Sequence, residues 1–140
     1  VSDWFDAGTA RQILETFRSF AVVGCSPSPA RPSHGVARFL ISRGYRVVPV
    51  NPEVDRCLEL RCYPDLASIP AEERVEVVDL FRRSAAVGPH VDEAIAAGAK
   101  AIWMQLGVID EAAAARAEAA GLLVVMNRCP AIEYPRWFPL

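Results

Sequence analysis

A chain of 140 residues, 52% hydrophobic and 23% charged, with a formal net charge of −2, has the composition of one folded domain around one core. That balance excludes the broad excess of Lys and Arg that a nucleic-acid surface needs, and no apolar stretch reaches the roughly 20 residues that span a bilayer. The first residues hold no basic region followed by an apolar run, so no secretory signal is expected, and four cysteines without a CxxC pair point to reduced thiols, no metal and a cytoplasmic setting.

Apolar runs and amphipathic segments then alternate along the chain. Thr9 is a candidate cap for a first helix, with Ile13, Leu14 and Phe17 on one face at helical spacing. Residues 20–24 (FAVVG) read as a strand buried on both faces, the kind found in parallel sheets. A loop rich in Ser and Pro leads to a helix over 35–44 (GVARFLISRG) that closes on Gly44. The second strand covers 45–50 and stops at Asn51-Pro52. Residues 53–70 read as an irregular surface loop with room for one helical turn.

Residues 75–81 (VEVVDLF) form the third expected strand, followed by a helix that starts near Ser84 or Pro89 and ends at Gly98. Residues 100–105 (KAIWMQ) are the fourth strand. An alanine-rich helix over 110–120 packs closely on the sheet, with Asp110 and Glu111 at its positive end. Residues 122–126 (LLVVM) are the fifth strand, and the proline-rich tail reads as irregular. Alternating strands and helices with short links predict an α/β, Rossmann-like open parallel sheet of five strands with helices on both faces. The expected strand order is 3-2-1-4-5, within a single domain over 1–140.

Ligands in such sheets bind outside the carboxyl ends of the strands, where the strand order reverses. The expected order places that point between the first and fourth strands. The first strand delivers Gly24, Cys25 and Ser26, then Arg31, Ser33 and His34. The second delivers Asn51 and Pro52, the third Phe81, Arg82 and Arg83, the fourth Gln105, Gly107 and Val108, and the fifth Asn127, Arg128 and Cys129. Three of the five strand ends thus lead to arginines, which bind phosphate oxygens with charge-assisted bonds. Backbone N–H groups near Ser33–Gly35 add the anion preference of a helix start. Phe81 and Trp103, with the edge formed by Cys25, Ser26 and Pro27, are candidate apolar walls.

A dinucleotide site wants three glycines in the first loop and an acid closing the second strand. Here Gly24 and Gly35 frame a loop stiffened by three prolines, the second strand ends on Asn51, and Glu53 is the nearest acid. An NAD(P)-binding oxidoreductase or redox sensor is therefore a weaker alternative, as is an interaction protein whose site is vestigial. The stretches VVGCSPSPARPSHGVARFL, GYRVVPVNP, VDLFR, GAKAIWMQLGV and GLLVVMNRCPAIE resemble the small bacterial coenzyme A-binding proteins of the YccU type, related to the amino-terminal domain of the succinyl-CoA synthetase α subunit.

The resemblance covers the chain from about Phe20 to Glu133. It implies coenzyme A or an acyl-CoA as the ligand. Gly24, Ser26, Arg31 and Ser33 would cradle the pyrophosphate, and Asn51 and Pro52 would line the adenosine side. Phe81 and Arg82 would form the next edge, and Gln105, Gly107 and Val108 would follow the pantetheine. The chain departs from the family at EVDRCLELRCYPDL, where glycines are common, and at Asn127, where Asp is usual.

No Ser-His-acid set or carboxylate pair falls at the strand ends, so the resemblance is read as a binding or sensor module rather than an enzyme, with an unidentified protein partner allowed. His34 belongs to the phosphate loop, where it can donate to a phosphate. His90 reads as a solvated helix residue. Cys25 and Cys129 fall at the ligand edge and admit two readings, reactive thiol or small buried apolar residue. Cys57 and Cys62 share the irregular loop, with nothing in the sequence that requires them to meet.

Overall fold

The structure is a computed structural model that describes residues 3–140; the first two residues of the amino-terminal segment lie outside it. Helix α1 (Ala7–Thr16) starts one turn earlier than Thr9 suggests, because the Asp6 side chain accepts a hydrogen bond from the Gly8 N–H and caps it. Strand β1 (Ser19–Val23) is buried at all five positions. Helix α2 (Pro32–Ser42) begins three residues before Gly35, with Pro32 in its first turn, where a missing N–H costs no helical bond. Strand β2 (Arg46–Val50) follows, and as an edge strand it tolerates Pro49.

The stretch expected to be irregular holds a miniature antiparallel hairpin, β3 (Arg56–Cys57) and β4 (Leu60–Arg61). Its turn residues Leu58 and Glu59 both have positive φ, 55° and 63°, as a primed two-residue turn demands. After a short 3₁₀ turn come β5 (Val77–Leu80), α3 (Val87–Ala96), β6 (Ala101–Met104), α4 (Glu111–Ala119) and β7 (Leu123–Val125). The tail is not irregular. It forms α5 (Pro130–Trp137), started by Pro130 and tolerating Pro135 inside it.

Among the described residues, β1, β2, β5, β6 and β7 make one parallel sheet, so the α/β Rossmann-like architecture holds. The strand order does not. In order of appearance the five strands lie 2-1-3-4-5, because the chain leaving β2 returns across β1 and lays β5 on its far side. Residues 51–76 contain no α-helix. Leu66, Ile69 and Val75 instead pin this link to the core face beneath α3 and α4. Since α2 covers the opposite face, crossovers of one handedness require this path.

Two cores result, one on each side of the sheet. Ala21, Val23, Val78, Leu80, Ile102 and Met104 face α3 and α4, where the buried Ala113, Ala114 and Ala117 let α4 approach closely. Phe20, Val22, Val77 and Trp103 face α1, α2 and α5. Each fully buried large side chain of this set contributes about 1.5–3 kcal/mol. Trp103 is therefore core, with its indole N–H donating to the Arg128 carbonyl at 2.7 Å, and not the cleft wall suggested by sequence.

Candidate functional site

The reversal of strand order falls between β1 and β5, one strand away from the expected point. The chain leaves β1 there through Gly24, whose φ is +85°. A Cβ at that position would lie 2.5 Å from the Phe81 carbonyl oxygen at the end of β5, so only glycine lets the two strand ends come this close. The Gly24 N–H and Cys25 N–H both reach the Val50 carbonyl, tying the loop to β2.

Serine and histidine organise the loop from within. The Ser26 N–H donates to Ser33 Oγ at 2.9 Å, and the Ser28 N–H donates to Ser26 Oγ at 3.1 Å. His34 is buried, its Nδ1 lying 3.0 Å from the Ser26 carbonyl oxygen. The His34 and Gly35 N–H groups, expected to be open to an anion, both point at the Arg31 carbonyl. Asn51 acts as a brace: its amide N–H donates to the Cys25 carbonyl at 2.9 Å, and its Oδ1 accepts from the Glu53 N–H.

Around this loop lies an open cleft of about 840 Å³, a volume typical of small-molecule sites, which run roughly 300–1,000 Å³. Gly24, Ser26, Arg31, Ser33, Asn51, Phe81, Arg82, Gln105, Gly107 and Val108 all line it. The side chains of Cys25, His34 and Pro52, which the sequence places in the same set, do not. Cys25 is fully buried with its thiol against Cys57, and His34 holds the loop from behind. A second cleft, of about 350 Å³ between Leu66 and Lys100, opens at the amino-terminal edge of the sheet, away from the strand-order reversal.

The cleft also includes residues that sequence reasoning left out of the site. Pro32 enters because α2 starts earlier than expected, Val36 follows one turn into that helix, and Ala131 enters because the tail forms α5. Proline at the first helical position was the available signal for both helices. Leu106, half exposed, and Glu53 complete the rim.

Charge is unevenly spent around this edge. Arg128, one of the expected strand-end cations, pairs with Glu133 at 3.0 Å and donates to the Phe5 carbonyl, which turns it away from the cleft. Among the described residues no carboxylate pairs with Arg31, Arg82 or Arg83, and Arg82 Nε is buried without a partner. Gln105 is buried as well, with Oε1 unpartnered. The turn after β6 is held from two sides. The Gly107 N–H donates to Asn127 Oδ1 at 2.8 Å, and the Ile109 N–H donates to Ser84 Oγ at 2.9 Å. Asn127 thus has a positioning role that its departure from the family pattern did not suggest.

His90, on α3, has its pKa lowered by burial and by the nearby Arg82 guanidinium, with Glu93 pulling the other way. The Cys129 thiol, at the start of α5, is pushed up by burial, while Gln105 and the Ile132 and Ala131 N–H groups oppose that rise.

The chain has relatives of known sequence and of known structure. The chain is 32% identical over 119 residues to the protein YneT of Bacillus subtilis, covering 85% of this chain and 87% of that one. A solved structure of a protein from Pyrococcus horikoshii superposes with a TM-score of 0.88 at 38% identity, covering 94% of this chain and 92% of that one. A third likeness is to part of a much larger enzyme, the dinucleotide-forming acetyl-coenzyme A synthetase 1 of Candidatus Korarchaeum cryptofilum, at 28% identity and a TM-score of 0.73, covering 83% of this chain and 27% of that one. The family model described as the CoA binding domain matches residues 18–135, from the start of β1 into α5. With that match running through every strand that builds the cleft, the chain belongs to the CoA binding domain family.

Proposed function

We propose that the cleft binds coenzyme A or an acyl-CoA and that the chain works as a binding or sensor module. The observation that carries this reading is the set of three arginines, Arg31, Arg82 and Arg83, around one cleft, none of them in an ion pair among the described residues. A ligand with a pyrophosphate and a further phosphate supplies several negative charges, and charge-assisted bonds to arginine are the strong kind. The buried Arg82 Nε gains a partner on such binding, which removes the cost of leaving a polar group unpaired.

Other features of the cleft fit the rest of the ligand. Arg31 stands at the start of α2, where the helix dipole adds to its own charge. Gln105 Oε1 is an unpartnered acceptor suited to an amide N–H of the pantetheine arm. Phe81, Leu106 and Val108 offer apolar surface beside it.

Calorimetry with coenzyme A, acetyl-CoA, dephospho-CoA and NAD tests the reading. Coenzyme A should bind more tightly than NAD, and dephospho-CoA more weakly than coenzyme A. Arg31→Ala and Arg82→Ala should each weaken coenzyme A binding by roughly 10–150-fold, the worth of one hydrogen bond to a charged group. Tighter binding of NAD, or unchanged affinity in both arginine variants, would overturn it.

A further inference from the structure

Three cysteines converge behind the cleft from separate segments. Cys25 follows β1, Cys57 ends β3 and Cys62 follows β4, and all three are buried free thiols. The sulfurs of Cys25 and Cys57 lie 2.9 Å apart, and the Cys57 thiol also donates to the Ser26 carbonyl at 3.1 Å. Cys62 lies close enough to Cys57 for the two thiols to influence each other's ionisation. Among the described residues no cluster of His, Cys, Asp or Glu is suited to a metal ion. Cys129 stands apart, its sulfur interacting with Gln105 and with backbone N–H groups of α5.

We propose that Cys25 and Cys57 form an oxidation site, which a small peroxide converts to an intramolecular disulfide tying the loop after β1 to the β3–β4 hairpin. In the first step the Cys57 sulfur attacks one peroxide oxygen and the O–O bond breaks. The departing hydroxide takes the thiol proton and leaves as water, so that Cys57 becomes a sulfenic acid. The Cys25 sulfur then attacks the Cys57 sulfur, the S–O bond breaks, and a second water carries away the Cys25 proton. The two sulfurs together lose two electrons, which the peroxide gains.

Access comes through the hairpin. Its strands are two residues long, its turn holds Leu58 and Glu59 in left-handed conformations, and an isolated bridge from Val50 to Tyr63 joins the chain after it to β2. Such a small element opens locally at a fraction of the cost of global unfolding. With the hairpin closed, burial and the neighbouring thiols raise the Cys25 pKa, and burial pushes Cys62 up to about 11. Cys57, the thiol that meets the peroxide, is itself only 2% exposed, so opening of the hairpin sets the rate. The site does not depend on what fills the cleft, although Gly24 and Ser26 on either side of Cys25 line it.

The test uses the chain alone. After treatment with stoichiometric hydrogen peroxide and alkylation, peptide mapping should find Cys25 joined to Cys57 and Cys129 alkylated. The link closes a loop that contains all of α2 and β2, so the melting temperature should rise by about 5–10 °C and fall back on adding dithiothreitol. In Cys57→Ser the rise and the link should both vanish. A map showing Cys57 joined to Cys62 instead, sulfinic acids without a cross-link, links between two chains, or four unreacted thiols would each overturn the proposal. The map of the unmodified sequence decides this even if the variant folds poorly.

Discussion

Asp79 sits in the middle of β5, between Val22 of β1 and Trp103 of β6, and is fully buried. Neither carboxylate oxygen meets a hydrogen-bond partner among the described residues, and burial raises its pKa well above the ordinary value. The unfolded chain ionises Asp79 near about pH 3.9, while the folded chain keeps the proton to higher pH. Above that lower value the unfolded state holds fewer protons, so Asp79 makes stability fall as pH rises, and below it the effect is absent. Asp79→Asn should remove the fall. Urea denaturation from about pH 4 to 8 should find the variant gaining on the parent as pH increases; a constant difference would show that Asp79 titrates normally. His90 offers a second residue-level measurement. Its imidazole should titrate below the usual value in the free protein, because burial and Arg82 disfavour its charge. Coenzyme A should move that titration upward in NMR spectra, since an anion on Arg82 offsets the repulsion. No movement on saturation would place the phosphates elsewhere.

The site is assembled by elements whose ends touch, and Gly24 is where the contact is tightest. Gly24→Ala combines a positive φ with a methyl group 2.5 Å from the Phe81 carbonyl oxygen. The variant should lose about 2–4 kcal/mol of stability in chemical denaturation, through left-handed strain and forced separation of β1 from β5. A loss below that of an ordinary surface substitution would mean the strand ends part easily. Gly24 was legible in the sequence because a glycine closing a buried strand is a strong signal. Helix α5 was not. Its prolines read as breakers, yet Pro130 starts the helix, and Tyr134 anchors it by edge contacts with Phe39 and Tyr45 across the core. A contact between residues far apart in sequence outweighed the local preference.

At the scale of the whole molecule, the cleft draws on the ends of β1, β2, β5 and β6, which are parts of one hydrogen-bonded sheet. A ligand that holds them together should stabilise the chain against global unfolding. At a hundredfold excess over its dissociation constant, coenzyme A should add about 2.7 kcal/mol and raise the melting temperature by about 5–10 °C. A flat melting curve with coenzyme A beside a rise with NAD would return the cleft to a dinucleotide. Neither cation pairing nor cysteine contact could be read at this scale from the sequence. Arg31, Arg82 and Arg128 look alike on the page, and only the position of Glu133 on α5 shows which one is already neutralised.

Short stretches of sequence were enough to set the alternation of strands and helices, the glycine that ends β1, and ten of the thirteen expected site residues, which line the cleft. These depend on spacing within a few residues, which side-chain periodicity and turn chemistry record directly. Tertiary structure alone decided the strand order, the turning of Arg128 away from the cleft, and the meeting of Cys25 with Cys57. Each of those depends on which distant segment a strand or loop packs against. The long link that returns from β2 over β1 settled all that followed at the β1–β5 edge, and no local pattern encodes where such a link comes to rest.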